Sequence, residues 1–155
     1  CFTDSTRQLE AKPIVDRIFV PFQVTPINAL YPPKIEVSER QAIISIEVKP
    51  EYFHSMGALH GSVYFKLLDD SAALAAASIN EQSPMVTVSF TTQIKRPVTK
   101  GRVKAIGRVV KEEGAKVYLE SLMYDDQDNQ IATGSGLFLP AKINLLDVEA
   151  YKPLD

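Results

Sequence analysis

Apolar and polar residues alternate from Gln41 to Val48, so that Ala42, Ile44, Ile46 and Val48 share one side of an extended chain. This period of two predicts a half-buried strand, paired with Lys34 to Val37 around the turn Ser38-Glu39-Arg40. The period changes at Gly61. From there to about Ile79 no Pro or further Gly intervenes, and Tyr64, Leu67, Leu68, Ala72, Ala75 and Ile79 recur at spacings of three and four, which predicts one long helix. Its alanine-rich second half has little bulk on any side, so a sheet can pack closely around it. Four more strand-like runs follow, Met85 to Ile94, Arg102 to Val110, Lys116 to Tyr124 and Ile131 to Leu139. The links between them are short and rich in turn formers, which predicts that each strand pairs antiparallel with the next, as a meander.

The expected architecture is α+β: one antiparallel sheet curled around one central helix. Residues 1–32 read as a cover segment, with a short helical pattern from Ser5 to Glu10 and interruptions at Pro13, Pro21 and Pro26. Residues 33–141 form the domain, and residues 142–155 a loosely attached tail. A length of 155 residues with 45% hydrophobic content suits one domain with a real core. Seventeen basic against nineteen acidic side chains give a formal charge of −2, so no global field recruits nucleic acid or an anionic membrane. No apolar run approaches the roughly 20 residues that span a bilayer, and no charged-then-apolar leader is present, so a cytoplasmic protein is expected. The single cysteine, Cys1, excludes an intrachain disulfide and a cysteine-based metal site, and is taken as incidental.

Both histidines, His54 and His60, stand just before the helix, and Asp69 and Asp70 lie within it among leucines and alanines. A helix N-terminus offers unpaired N–H groups and partial positive charge, which suit a developing oxyanion. A partly buried Asp nearby can serve as base or nucleophile. Taken alone, His60-Gly61 is equally a loop entering a helix, and Asp70 is expected on a solvated outer face. His54 stands evenly between a satisfied loop residue and a substrate contact. A metal site needs three or four convergent ligands, and His54, His60 and Asp69 have no supporting spacing, so none is expected. A Ser-His-Asp triad lacks its Gly-x-Ser-x-Gly elbow.

Gly57, His60, Gly61 and Ser62, followed by Asp69 nine positions after His60, form a pattern that resembles the hotdog-fold acyl-CoA thioesterases, in the branch that includes the phenylacetate-pathway enzymes. The strand Val86 to Phe90 leading to Lys95-Arg96-Pro97 and the closing run Ala132 to Phe138 are similar to that family too, and the likeness runs from about Pro21 to Pro140. The resemblance implies that the Gly61 amide is an oxyanion donor, that His60 helps orient the thioester carbonyl, that Asp69 is the base or nucleophile, and that Thr87 helps place the attacking water. It implies no cofactor, since coenzyme A belongs to the substrate. Two positions depart from the family: His54 stands where Asn is usual, and Ser62 where a second Gly is usual. Ser62 keeps its backbone N–H but narrows the approach to substrate, while His54 brings a titratable ring. Lys95 and Arg96, in a basic cluster with Lys100, Arg102 and Lys104, can grip the phosphates of coenzyme A, although such a run is commonly a solvated hairpin end.

Two functions are thus compared, a hydrolase acting on medium or aromatic acyl-CoA thioesters held between subunits, and a non-catalytic acyl-CoA binding or sensing module on the same fold. Asp69 separates them, because a binder has no need of a carboxylate beside the thioester. Gly61 and Asp69 are eight residues apart, roughly 12 Å along a helix axis. One thioester carbon cannot reach both. The expectation is therefore a homodimer, or a dimer of dimers, in which Gly61 of one chain meets Asp69 of another.

Overall fold

His60 starts the helix. Its backbone is extended, and its ring Nδ1 accepts the Ser62 N–H at 3.1 Å, satisfying one of the first-turn donors. Helix α1 then runs Gly61–Ala77, in a computed structural model that describes residues 25–80 and 83–142. The expected helical turn at Ser5–Glu10 and the tail from residue 143 lie outside those residues. At the other end, the Ser78 hydroxyl donates to the Ala75 carbonyl at 2.6 Å and accepts the Arg40 N–H at 2.8 Å, which ties the helix terminus to a tight turn. That turn joins β1 (Lys34–Ser38) to β2 (Gln41–Glu47), with Arg40 at φ 69°.

Beyond α1 come β3 (Met85–Ile94), β4 (Arg102–Glu113), β5 (Lys116–Tyr124) and β6 (Gln130–Pro140). The alternation read along β2 holds: Ala42, Ile44, Ile46 and Val48 are all buried. They meet Val63, Tyr64, Leu67, Leu68, Ala72 and Ala75 of the helix in one core, each large apolar side chain contributing about 1.5–3 kcal/mol by burial. The helix backbone comes close against the sheet at Gly107 of β4, where a Cβ would lie 2.3 Å from the Ser71 carbonyl carbon and oxygen. This is the hotdog arrangement, a curled antiparallel sheet around one long helix.

Two of the meander's three pairings are present, β4 with β5 and β5 with β6. The sheet order is β1-β2-β4-β5-β6-β3, so β3 pairs with β6 and not with β4, whose other neighbour is β2. The link between β3 and β4, residues 95–101, can span roughly 23 Å when extended. Three strand spacings amount to only about 14 Å, so a short link does not require adjacency. β6 also offers the matching surface. The Phe90 ring lies over Gly134 and Gly136, where added Cβ atoms would come within 2.6 Å and 2.5 Å of it.

Candidate active site

His54 sits on a compact loop. Its N–H donates to the Ala58 carbonyl at 2.9 Å and its carbonyl accepts the Gly57 N–H at 3.0 Å, with Gly57 at φ 80° closing a turn that a side chain would strain. The Nδ1 of His54 accepts the Met56 N–H at 3.1 Å, which orients the ring. The link after β3 is tied to this loop and to the helix: the Leu59 N–H donates to the Val98 carbonyl at 2.9 Å, and the Tyr64 hydroxyl to the Arg96 carbonyl at 2.7 Å. Burial raises the Tyr64 phenol above its ordinary range, keeping it a neutral donor there.

These ties form an open cleft of about 280 Å³ lined by His54, Leu59, Gly61, Tyr64, Lys95 and Arg96, together with Ile94 and Pro97. Four of the residues expected to act, His54, Gly61, Lys95 and Arg96, are therefore side by side. The Gly61 N–H has no acceptor among the described residues, whereas the next two amides are used: Ser62 donates to the His60 ring and Val63 to the His60 carbonyl. Lys95 turns its ammonium to Gln130 at 2.6 Å. His60 and Ser62 form the cap, with the Ser62 hydroxyl 2.7 Å from the same His60 nitrogen. Leu59, Tyr64, Ile94 and Pro97 escaped sequence reasoning because apolar lining has no signature apart from core.

Asp69 lies further along the helix, and its Oδ1 accepts the Thr87 hydroxyl at 2.7 Å. Simple alternation along β3 would aim Thr87 and the helix-facing Phe90 to opposite sides. A bulge prevents this: Thr87 pairs with Phe138 and Ser89 with Leu137, leaving Val88 as an extra residue. The bulge rotates Thr87 to the helix side. Burial holds the Asp69 carboxyl above the ordinary carboxylate range, opposed by the Thr87 hydrogen bond and by the charge of Lys66. Asp69 and Thr87 are thus a second group, separate from the cleft at Gly61.

Asp70 is not on a solvated face. Its side chain is 18% exposed and pairs with Lys66, itself 12% exposed, and Lys66 also donates to the Asn28 side chain at 2.7 Å. Asn28 and Tyr31, in the described part of the segment before β1, cover Lys66 at that part of the helix. Burial raises the Asp70 carboxyl as well, with Lys66 opposing. Because the Asp70 carboxyl is raised even with Lys66 opposing, its ionised form weakens the fold at neutral pH, and Asp70→Asn should leave the urea midpoint unchanged or raise it. A clear fall in the midpoint would mean that the Lys66 ion pair outweighs the cost of burying Asp70.

Among the described residues, no three His, Cys, Asp or Glu side chains converge as a metal site, and no helix is long and apolar enough to cross a membrane. Residues 56–132, which contain the cap, the cleft glycine, Asp69 and Thr87, match the model of the thioesterase superfamily. The chain belongs to the thioesterase superfamily. Within it, the Saccharolobus solfataricus protein named "Putative esterase SSO2140" is 27% identical over 112 residues, covering 70% of this chain and 79% of that protein. The Escherichia coli PaaI protein from the phenylacetic acid degradation operon superposes with a TM-score of 0.76 at 16% identity, over 83% of this chain and 94% of its own. An Asn-to-Asp variant of the Thermus thermophilus phenylacetic acid degradation protein PaaI gives 0.70 at 20% identity, over 76% and 100%. At these identities the two structures speak for the superfamily's fold.

Proposed function

We propose that this protein hydrolyses acyl-CoA thioesters at sites shared between two subunits. The observation that carries the reading is the division of the chemistry on one helix. The free Gly61 amide faces one cleft, while the Asp69–Thr87 pair lies eight residues on, roughly 12 Å away along the axis. Antiparallel packing of two copies about a two-fold brings each amide to the other chain's carboxylate and makes two equal sites. The β3 edge supports such pairing. Its outer side has no strand neighbour among the described residues; it contains no charge, Pro or Gly, and Val86, Val88 and Ile94 are exposed. Edges meant to stay free carry such protection.

In this reading the Gly61 N–H, with His60 nearby, receives the charge that develops on the carbonyl oxygen. Asp69 of the partner subunit takes a proton from the attacking water, or attacks the carbonyl carbon itself, and Thr87 holds the carboxylate and water in place. Breaking the C–S bond then releases the thiol and, after hydrolysis, the free acid. Lys95 and Arg96 at the cleft rim suit the phosphates of coenzyme A, and Ser62 borders the approach.

Complementation tests the shared site. Asp69→Asn and Gly61→Leu proteins should each be inactive; unfolded together and refolded, they should regain activity from the one good site in each mixed dimer. No recovery, with wild type recovering under the same treatment, would sink the model. His54 lines the same cleft, so replacing its ring by a smaller amide should change kcat/KM for an acyl-CoA. An unchanged kcat/KM in His54→Asn would place His54 outside the site.

A further inference from the structure

Lys66, Asp69 and Asp70 share one side of α1, at the i, i+3 and i+4 spacing that makes neighbours on a helix. The Lys66 ammonium is not free to swing. It pairs with the Asp70 carboxylate and donates to the Asn28 side chain at 2.7 Å, and the centroid of the Tyr31 ring is 5.7 Å from it. One of the most flexible kinds of side chain is thus held in one place, at a cost in rotamer freedom. Stability does not account for the arrangement, because the ionised Asp70 carboxylate weakens the fold even beside its partner. What the arrangement supplies is one fixed positive charge next to Asp69. Across from Asp69, β3 contains no charged residue and offers the Thr87 hydroxyl.

We infer that Lys66 is a positioning residue for the reaction, a fixed cation that keeps the neighbouring Asp69 carboxylate ionised and ready to take a proton or attack. This rests on the thioesterase reading above. Lys66 does not touch substrate, because Asp70, Asn28 and Tyr31 hold its ammonium; it acts through Asp69. Partial burial by itself favours the protonated acid, which is inert both as base and as nucleophile. The Lys66 charge opposes that burial, as does the Thr87 hydrogen bond. Asp70 and Asn28 then serve as the anchor that stops the lysine stem from carrying its charge out to solvent. In a shared site Asp69 also meets His54, His60, Lys95 and Arg96 of the partner subunit. Those groups are the same in every variant below, so their effect cancels in a comparison.

The test compares wild type with Lys66→Gln, Lys66→Met and Asp70→Asn. Every one of these variants breaks the ion pair, but only the Lys66 variants remove the positive charge, and Lys66→Gln keeps an amide donor for Asp70 or Asn28. The quantity read is kcat/KM on the acid limb divided by kcat/KM on the plateau, from thiol release with hexanoyl-CoA or benzoyl-CoA. Lys66→Gln and Lys66→Met should move the limb to higher pH and lower that quotient by about three- to tenfold. Asp70→Asn keeps the charge and should leave the limb in place or move it to lower pH. A limb unmoved in the Lys66 variants, or moved up equally in Asp70→Asn, makes the pair structural and overturns the role of Lys66 while hydrolysis stands. A direct titration of the Asp69 carboxyl by NMR, whose midpoint Lys66→Gln should raise, needs no turnover. It decides the role of Lys66 even where wild type cleaves neither thioester, an outcome that overturns the thioesterase reading itself.

Discussion

Asp69→Asn is expected to lower kcat by about 10²–10⁴-fold while the protein stays folded, the range for losing a positioned acid–base group. The Asn side chain has nearly the same shape, and its carbonyl oxygen can still accept from the Thr87 hydroxyl that now bonds Oδ1 at 2.7 Å. Only the ability to take a proton or attack is removed. Burial raises the Asp69 carboxyl, so in wild type the acid limb of kcat/KM should lie above the ordinary carboxylate range, and the variant's residual rate should lack it. Stability should move the other way. A carboxyl whose folded-state pKa is raised binds its proton more tightly in the native state. Its favourable share is complete below the unfolded value of about 3.9 and is lost as pH rises through the folded value. Ionised Asp69 therefore weakens the fold at neutral pH, and the Asn variant should melt at the same temperature as wild type or higher. Thiol-release rates and melting curves at pH 7 check both halves. Wild-type turnover in Asp69→Asn would make the residue structural.

Gly107→Ala should be the most damaging small change in the core. The new methyl would lie 2.3 Å from the Ser71 carbonyl and 2.5 Å from the Ala72 nitrogen. Those are helix backbone atoms that cannot rotate aside, so α1 must lift as a body from β4. Overpacking of this kind costs about 3 kcal/mol or more, equivalent to a fall in Tm of roughly 6–12 °C for a chain of this size. Lifting the helix also moves Asp69 against Thr87, so kcat should fall along with Tm in a residue that touches no substrate. A melting temperature within about 2 °C of wild type would mean that the helix has slack at this point.

The helix and most of the strands are legible from periodicity because they bury one side of a regular element, as Ile44 and Ile46 or Leu67 and Leu68 show; β3, none of whose residues is buried, is legible only as a strand-like run ahead of turn formers. Strand order is less so. Link length limits reach but does not select a neighbour, and what places β3 beside β6 is the fit of Phe90 to Gly134 and Gly136, two residues whose significance lies in the side chain they lack. The pairing of Thr87 with Asp69 depends on one bulged residue, Val88, that leaves no mark on composition or period. Asp70 was misread because its cover comes from Asn28, thirty-eight or more residues away and invisible to a local pattern. Gly61 and the segment around His54 stood out because turn and cap chemistry is local. The separation of Gly61 from Asp69 follows from helix rise alone.

The uncharged outer edge of β3 has a consequence for newly made protein. While copies are scarce, as on a polysome producing the first chains, this strand has satisfied donors and acceptors on one flank only, and any extended apolar segment can pair with the other. A lysine placed outward on it, at Val88 for example, would make a solitary chain safer to handle and would at the same time discourage the self-pairing that the proposed shared sites require. Tolerance of dilution and competence for catalysis would then be opposing demands on the same ten residues.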